Sequence, residues 1–462
     1  RTHNRDGRSG SARAMFGSFS TQKFAMTTGY KKDRFSATLS GQLDRSNGYR
    51  SGSNYWLANE FAQLKYAFSK HWSIGGMVEL TQTKSHYPGT NQAPLENMWT
   101  EISRGTGAMF VKNQYGKADG GVQAYINWGR HNVDDGNTPG TTPRNYIFHS
   151  TDYNMGFTAY ESFYLWRDNI LSAGIDFQHW GGHIWNTSKE DESQRSAEQW
   201  HHVNEVAGYV MMQQGFFNEI LDVNGGVRLQ HGSAYGNVWV PQAGFIVKPG
   251  HTAQIKALFS KGFRSPNIRE LYLYPPASNA DLKPEYLLNY ELSYRQHFVD
   301  GRLMLGASLF FIDGKDMIER TIIDGRPKLI NTGKFHNKGF EVEAAYAILP
   351  NLQVSGSWSY LHTDTKILYS PKNKMNLDVT YSPGNFSFTL EEMSIWSMYN
   401  DQASFNKENY SLLNFRGAYT LQATVPATLF VKLDNLTNKH YEVMYGVPMP
   451  GTTILGGVEI KF

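Results

Sequence analysis

Hydrophobic and polar residues alternate along most of this chain. Phe35, Ala37, Leu39, Gly41 and Leu43 fall on one parity, and Ser36, Thr38, Ser40 and Gln42 on the other. The same period returns in Leu352, Val354, Gly356, Trp358 and Tyr360, and at the end in Ile454, Gly456, Val458, Ile460 and Phe462 set against Leu455, Gly457, Glu459 and Lys461. A period of two sends successive side chains to opposite faces of a strand. No helical period competes with it. About 22 such runs can be counted, an even number of the kind that closes an antiparallel membrane barrel, with the apolar parity facing lipid.

The connections sort into two kinds. Short turns are predicted at Lys31-Lys32-Asp33, Ser69-Lys70-His71, Arg167-Asp168-Asn169, Lys248-Pro249-Gly250, Leu349-Pro350-Asn351 and Ser382-Pro383-Gly384-Asn385. Longer, irregular connections are predicted at 85–99, 132–143, 184–200, 265–286, 315–328, 397–409 and 438–450. Short turns on one rim and long loops on the other are the outer-membrane pattern, with the turns periplasmic and the loops extracellular. The expected fold class is therefore all-β, a transmembrane antiparallel β-barrel of about 22 strands whose termini share the short-turn rim. A barrel of this size encloses a lumen that must be plugged to keep a membrane sealed. No plug-like segment follows Arg1, so residues 1–11 are expected to be a junction from an N-terminal plug and residues 12–462 the barrel, with the first strand beginning near Ala12.

Composition narrows the alternatives. The aromatic content is 14%, with 27 Tyr and 11 Trp, enough for ring girdles at both membrane interfaces. No run of about 18 apolar residues suggests a transmembrane helix. With no cysteine, disulfides and thiolate metal sites are excluded. A net charge of +3, without a basic run interleaved with aromatics, gives no footprint for nucleic acid. An enzyme is not expected. His149, Ser150 and Asp152 supply the residue types of a hydrolytic triad, but neighbours on a strand face opposite ways and no nucleophile elbow is present.

Three ordered boxes carry a family resemblance. They are Asn435-Leu436-Thr437-Asn438-Lys439 with Tyr441 and Pro448-Met449-Pro450-Gly451; Phe263-Arg264-Ser265-Pro266-Asn267-Ile268-Arg269-Glu270-Leu271-Tyr272 leading to Leu282-Lys283-Pro284-Glu285; and Asn331-Thr332-Gly333 leading to Gly339-Phe340-Glu341-Val342-Glu343. Together the boxes resemble TonB-dependent outer-membrane receptors, in the dialect of the Bacteroides group. The resemblance implies active import of a scarce nutrient across the cell outer membrane, energised by the TonB complex through a plug that does not appear in this chain. The candidate partners are then the TonB complex, a metal-chelate ligand, outer-membrane lipids and a surface lipoprotein.

The expected cargo is a ferric siderophore or similar iron complex, with cobalamin or haem as alternatives and a passive porin as the reading from another class. Haem receptors that resemble this one place a histidine between two boxes. Here Phe263-Arg264-Ser265-Pro266 and Asn279-Ala280-Asp281-Leu282 enclose Tyr272 and Tyr274 instead, which are ligand-binding candidates as an aromatic lining or, for haem, as a tyrosinate on iron. Arg264 and Arg269 are candidates for an anionic ligand or a plug carboxylate, with a purely structural role as the other reading. Pro266, Pro275, Pro276 and Pro284 stiffen the loop between them. Trp185, Met398 and Tyr399, in or beside long loops, are candidates for stacking on a ring-bearing ligand, the upper girdle being the alternative. His183 is a further ligand-binding candidate; with His179, His201 and His202 it flanks one loop, where pairing across strands could form a metal site, rim histidines bonded to water being the alternative. His179 and His183 stand about 13 Å apart on an extended strand, too far to share a metal directly.

Overall fold

The computed structural model describes residues 6–196, 200–274 and 276–462. Among these, one 22-stranded antiparallel sheet closes on itself. The closing seam pairs the first strand, Gly7–Gly17, with the last, Thr453–Lys461, so that Ala12 lies opposite Ile460 and Ala14 opposite Val458. Just beyond the last strand, Gly10 and Phe462 exchange backbone hydrogen bonds of 2.6 and 2.9 Å. A Cβ at position 10 would lie 2.6 Å from the Phe462 ring, so glycine there lets the terminal aromatic close the seam. Closure leaves no open strand edge.

The face assignment follows the alternation. Leu39, Met109, Val122, Ile175, Leu309 and Leu429 stand exposed on the outer wall, while ion pairs line the inner one, among them Arg104 with Asp152 and Arg228 with Asp176. Val458 and Ile460 share an outer groove with Ala12, Ala14, Phe24 and Met26, whereas Leu455 faces inward beside Lys432 and Asp434. The outward and inward sets expected for the last strand are the ones observed.

The connections also keep their parity. Residues 33–34, 67–71, 115–117, 164–168, 217–220, 248–252, 299–302, 350–351, 382–385 and 422–426 form one rim with both termini, and the other connections, most of them longer, form the other. Several boundaries differ from expectation, among them the loop expected from residue 184, where the strand Asn169–Ser188 continues. The first strand starts at Gly7 and not near Ala12, because residues 7–11 already pair with 27–31 of the second strand. The irregular loop expected at 315–328 is a hairpin: Leu303–Ile323 and Arg326–Leu349 run on as strands to a two-residue turn, Asp324-Gly325, at φ 52° and 73°. Residues 1–5, 197–199 and Pro275, which fall in expected functional or junction segments, lie outside the described residues.

Candidate functional site

At the loop rim, the loop of residues 265–274 and 276–284 folds inward over the mouth of the barrel. Its base is an ion network. Nε and Nη2 of Arg264 donate to Glu285 at 2.6 and 2.8 Å, and Nη1 and Nη2 donate to Glu270 at 2.8 and 3.1 Å. Glu285 also accepts the backbone N–H of Ile318 at 2.7 Å. Asn267 and Glu270 cap each other reciprocally, each side chain accepting the other's backbone N–H at 2.9 Å, and this starts the π-helical turn Arg269–Leu273. Leu271 and Leu282 then bury themselves, each 2% exposed, against the inward Val203, which is fully buried.

The other two boxes fasten the same rim. The Asn331 side chain donates to the carbonyls of Lys283 and Asp316 at 2.8 Å and accepts the N–H of Lys283 at 2.9 Å, which ties the long hairpin to the loop. Asn435 donates to the Lys439 and Pro450 carbonyls and accepts the Lys439 N–H, folding the final loop. The residues that carry the resemblance are thus largely the ones that hold the loops in shape.

Under this loop lies a cavity of about 820 Å³, walled by the inner faces of Ala118–Asp134, Tyr146–Phe163, Asn169–Ser188 and His201–Phe216 and roofed by residues 265–274. Arg269 and Tyr274 both line it, the guanidinium lying 4.7 Å from the ring centroid. The two arginines of the loop therefore differ. Arg264 is spent on two carboxylates, while Arg269 touches no carboxylate among the described residues and keeps its donors for something else. Across the cavity, Asn154 Oδ1 and His131 Nε2 are buried without a hydrogen-bond partner among the described residues, His131 Nε2 standing 4.0 Å from Asp152, beyond hydrogen-bond reach. Glu205, also in the lining, accepts from Tyr235 at 2.9 Å and Gln230 at 3.1 Å. Burial, reinforced by the charge of Glu205, pushes the Tyr235 hydroxyl well above its ordinary range, so it stays a donor. Asn154, His131 and Glu205 carried no signal in the sequence beyond inward parity on a long strand.

The remaining sequence candidates go elsewhere. Tyr272 stacks on His201 at 4.3 Å and packs on the Val203–Leu271–Leu282 cluster, outside the cavity lining. His183 and Trp185 share the parity of the exposed Ile175, so their side chains lie on the outer face. There they form a stacked column, with His149 against Trp185 at 5.1 Å, Trp185 against His183 at 4.6 Å and His183 against Trp200 at 3.8 Å. His183 borders the cavity while its ring stands in this column, and Trp185 does not line the cavity. His179 and His202 meet at 5.4 Å on that outer face while His201 points inward, and no group of three or more histidine or carboxylate side chains among the described residues is arranged to hold a metal ion. Met398 is 3% exposed and packs with Ile395, Tyr410 and Leu412, against which Tyr441 of the last loop is seated. Tyr399 sits at the loop rim on the far side of the barrel, against Phe405.

Known proteins share this architecture. The family described as "TonB dependent receptor-like, beta-barrel" matches residues 16–436. The iron-regulated outer membrane virulence protein of Vibrio cholerae is 24% identical over 345 residues, 64% of this chain and 49% of that protein. The ferripyoverdine receptor of Pseudomonas aeruginosa is 24% identical over 200 residues, 37% of this chain and 24% of the receptor. The chain spans about half the length, or less, of these relatives. Among solved structures, the copper transporter OprC superposes with a TM-score of 0.85 at 16% identity, covering 100% of this chain and 82% of that one. A variant of the ferric enterobactin receptor PfeA of Pseudomonas aeruginosa gives 0.81 at 12% identity, covering 99% and 81%. At these identities the superpositions speak for the fold alone.

Proposed function

The chain belongs to the TonB dependent receptor-like β-barrel family of the outer membrane, and from that premise we propose that it is the wall of an active transporter that imports a metal chelate, a ferric siderophore or similar iron complex. The observation that carries this reading is the Arg269–Tyr274 pair over the luminal cavity. A guanidinium free of carboxylates beside an aromatic face suits an anionic, ring-bearing ligand, which it meets by charge, by hydrogen bonds and by stacking at once. A loop already fixed by Arg264 and by buried leucines loses little conformational entropy when such a ligand arrives. The curated relatives support iron as the metal: one is named for iron regulation and another for ferripyoverdine.

Energy reaches this wall, in our reading, from the TonB complex through a plug domain that seals the lumen, with the barrel body beginning at the strand Gly7–Gly17. The test uses the protein as its cells make it. Uptake of radiolabelled iron from a catecholate chelate, of cobalamin and of haem is measured with and without collapse of the proton gradient. Gradient-dependent uptake of the ferric chelate supports the proposal. Gradient-dependent uptake of cobalamin or haem instead replaces the cargo, and gradient-independent leakage of unrelated small solutes replaces the transporter with a porin.

A further inference from the structure

The loop rim carries a second concentration of charge, roughly half a turn of the barrel from the luminal cavity. Residues 364–370, Lys372 and the end of the strand Phe386–Tyr399 enclose a cavity of about 280 Å³ into which Lys366, Lys372 and Lys407 all open. Two of these ammonium groups share one ring: Lys366 Nζ lies 6.0 Å and Lys407 Nζ 5.5 Å from the centroid of Tyr399. Lys366 also lies 4.3 Å from Phe405, and Lys372 lies 5.6 Å from Tyr360. None of the three lysines has an ion-pair partner among the described residues. The carboxylate in the lining, Asp364, accepts the backbone N–H of His336 at 2.9 Å. Three cations share this cavity with one carboxylate, that of Asp364, which leaves a net positive charge that an anion seated among them would offset.

Position identifies the anion. Tyr360 shares the outward parity of Trp358, which is 41% exposed, and stacks on the outward Phe340 at 5.6 Å. Trp396, also outward and 37% exposed, precedes Tyr399 by three residues. Exposed tryptophans on the outer wall mark the membrane–water interface. The lysine cavity therefore begins about 7 to 10 Å above it along the strands, at the depth of lipid headgroups. We propose that Lys366, Lys372 and Lys407, with Tyr399 as the shared platform, bind a phosphate-bearing headgroup of net negative charge in the surrounding leaflet. Amine donors on flexible stems suit a phosphate as point charges, and the neighbouring Ser370 and Ser397 supply short polar side chains to the same cavity.

The test is lipid retention by the purified chain in detergent, read by native mass spectrometry with phosphatidylglycerol, phosphatidylcholine and inorganic phosphate as separate probes. Phosphatidylglycerol should be retained in preference to phosphatidylcholine, and the triple variant Lys366→Gln, Lys372→Gln, Lys407→Gln should retain it more weakly by on the order of a hundredfold, since each surface lysine contributes about 1 kcal/mol toward anionic lipid. Heat-modifiable migration of the variant on a gel establishes that the barrel has formed. The corresponding triple arginine variant should restore retention. Equal retention by the glutamine variant, or equal retention of both lipids, overturns the proposal. Displacement of phosphatidylglycerol by inorganic phosphate at equal concentration would assign the site to a free anion and overturn the lipid assignment.

Discussion

The described residues of two loops, 189–196 with Trp200 and 265–274 with 276–284, leave the same rim of the same barrel and fold to opposite sides of its wall. The second loop turns into the lumen, with Leu271 and Leu282 buried on Val203 and with Arg264 clamped between Glu270 and Glu285. The first lies outside. Lys189 pairs with the outward Asp134 at 2.6 Å, Ser188 and Gln194 close a turn, and Trp200 lies against His183. Both loops are rich in rings and charges, so composition alone treats them as equals. What separates them is the parity of the strand residues they land on. Val203 and His201 point in, His183 and Trp185 point out, and each loop follows the apolar surface available to it. Only the inward loop roofs a cavity.

The largest expected effect tests that parity directly. Val458→Arg places a charge on the lipid face and should cost about 2 to 4 kcal/mol of insertion near the bilayer midplane, whereas Glu459→Arg, one residue on and facing the lumen, should fold at the level of the parent. Folding yield into lipid vesicles measures both. Equal yields for the two variants would remove the inside–outside distinction on which the comparison rests.

Next comes the clamp. Arg264→Ala leaves Glu285, 8% exposed, beside Glu270 without their shared cation. Loss of a paired charge of this kind costs several kcal/mol when fully buried. With the Arg264 side chain 44% exposed, solvent screening reduces the expectation to about 2 kcal/mol. Hydrogen exchange should rise across residues 265–284 and stay unchanged across 189–196. A rise in both segments would mean that the two loops are coupled and not independent.

Much of this contrast was open to reading from the chain. The period-two runs located the strands, and turn length separated the rims, because a lipid-facing wall enforces alternation residue by residue. Ile175 and Phe177 already assign odd positions of their strand to the outside, so the same count carried ten residues further puts His183 and Trp185 there; what hid it was the expectation of a loop from 184 onward, where the strand in fact continues to Ser188. The hairpin tip at Asp324-Gly325 was also legible, since Asp-Gly is the dipeptide that two-residue hairpin turns favour. The split between Arg264 and Arg269 was not. It depends on Glu270 and Glu285, six and twenty-one residues away, both reaching one guanidinium, and no local pattern encodes that meeting. The burial of Met398 had a similar source, because its partner Tyr441 arrives from another loop.

The smallest effect belongs to the outer loop. Hydrogen bonds from the Ser193 hydroxyl and N–H, and from Gln194, hold the Asp191 carboxyl below its ordinary value of 3.8. A depressed carboxyl stabilises the folded turn above the unfolded pKa and loses that contribution as pH falls through the folded value. The turn should therefore be indifferent to pH between about 5 and 7 and loosen only below 3.8. Asp191→Asn at neutral pH should raise exchange at residues 189–196 and leave 265–284 untouched; a change confined to the inward loop would contradict the separation.

The central claim is that capture takes place under the inward loop. Its most direct measurement is equilibrium binding of a ferric catecholate chelate, in the protein as its cells make it, by two double variants compared at equal abundance in the membrane. Arg269→Ala with Tyr274→Ala should weaken binding at least tenfold, from the stacking of one ring, worth about 0.5 to 1.5 kcal/mol, and the loss of a charge-assisted hydrogen bond, worth about 1.5 to 3 kcal/mol. His183→Ala with Trp185→Ala, on the outer face of the same rim, should bind like the parent. Parental affinity in the first variant together with weakened affinity in the second would contradict the account.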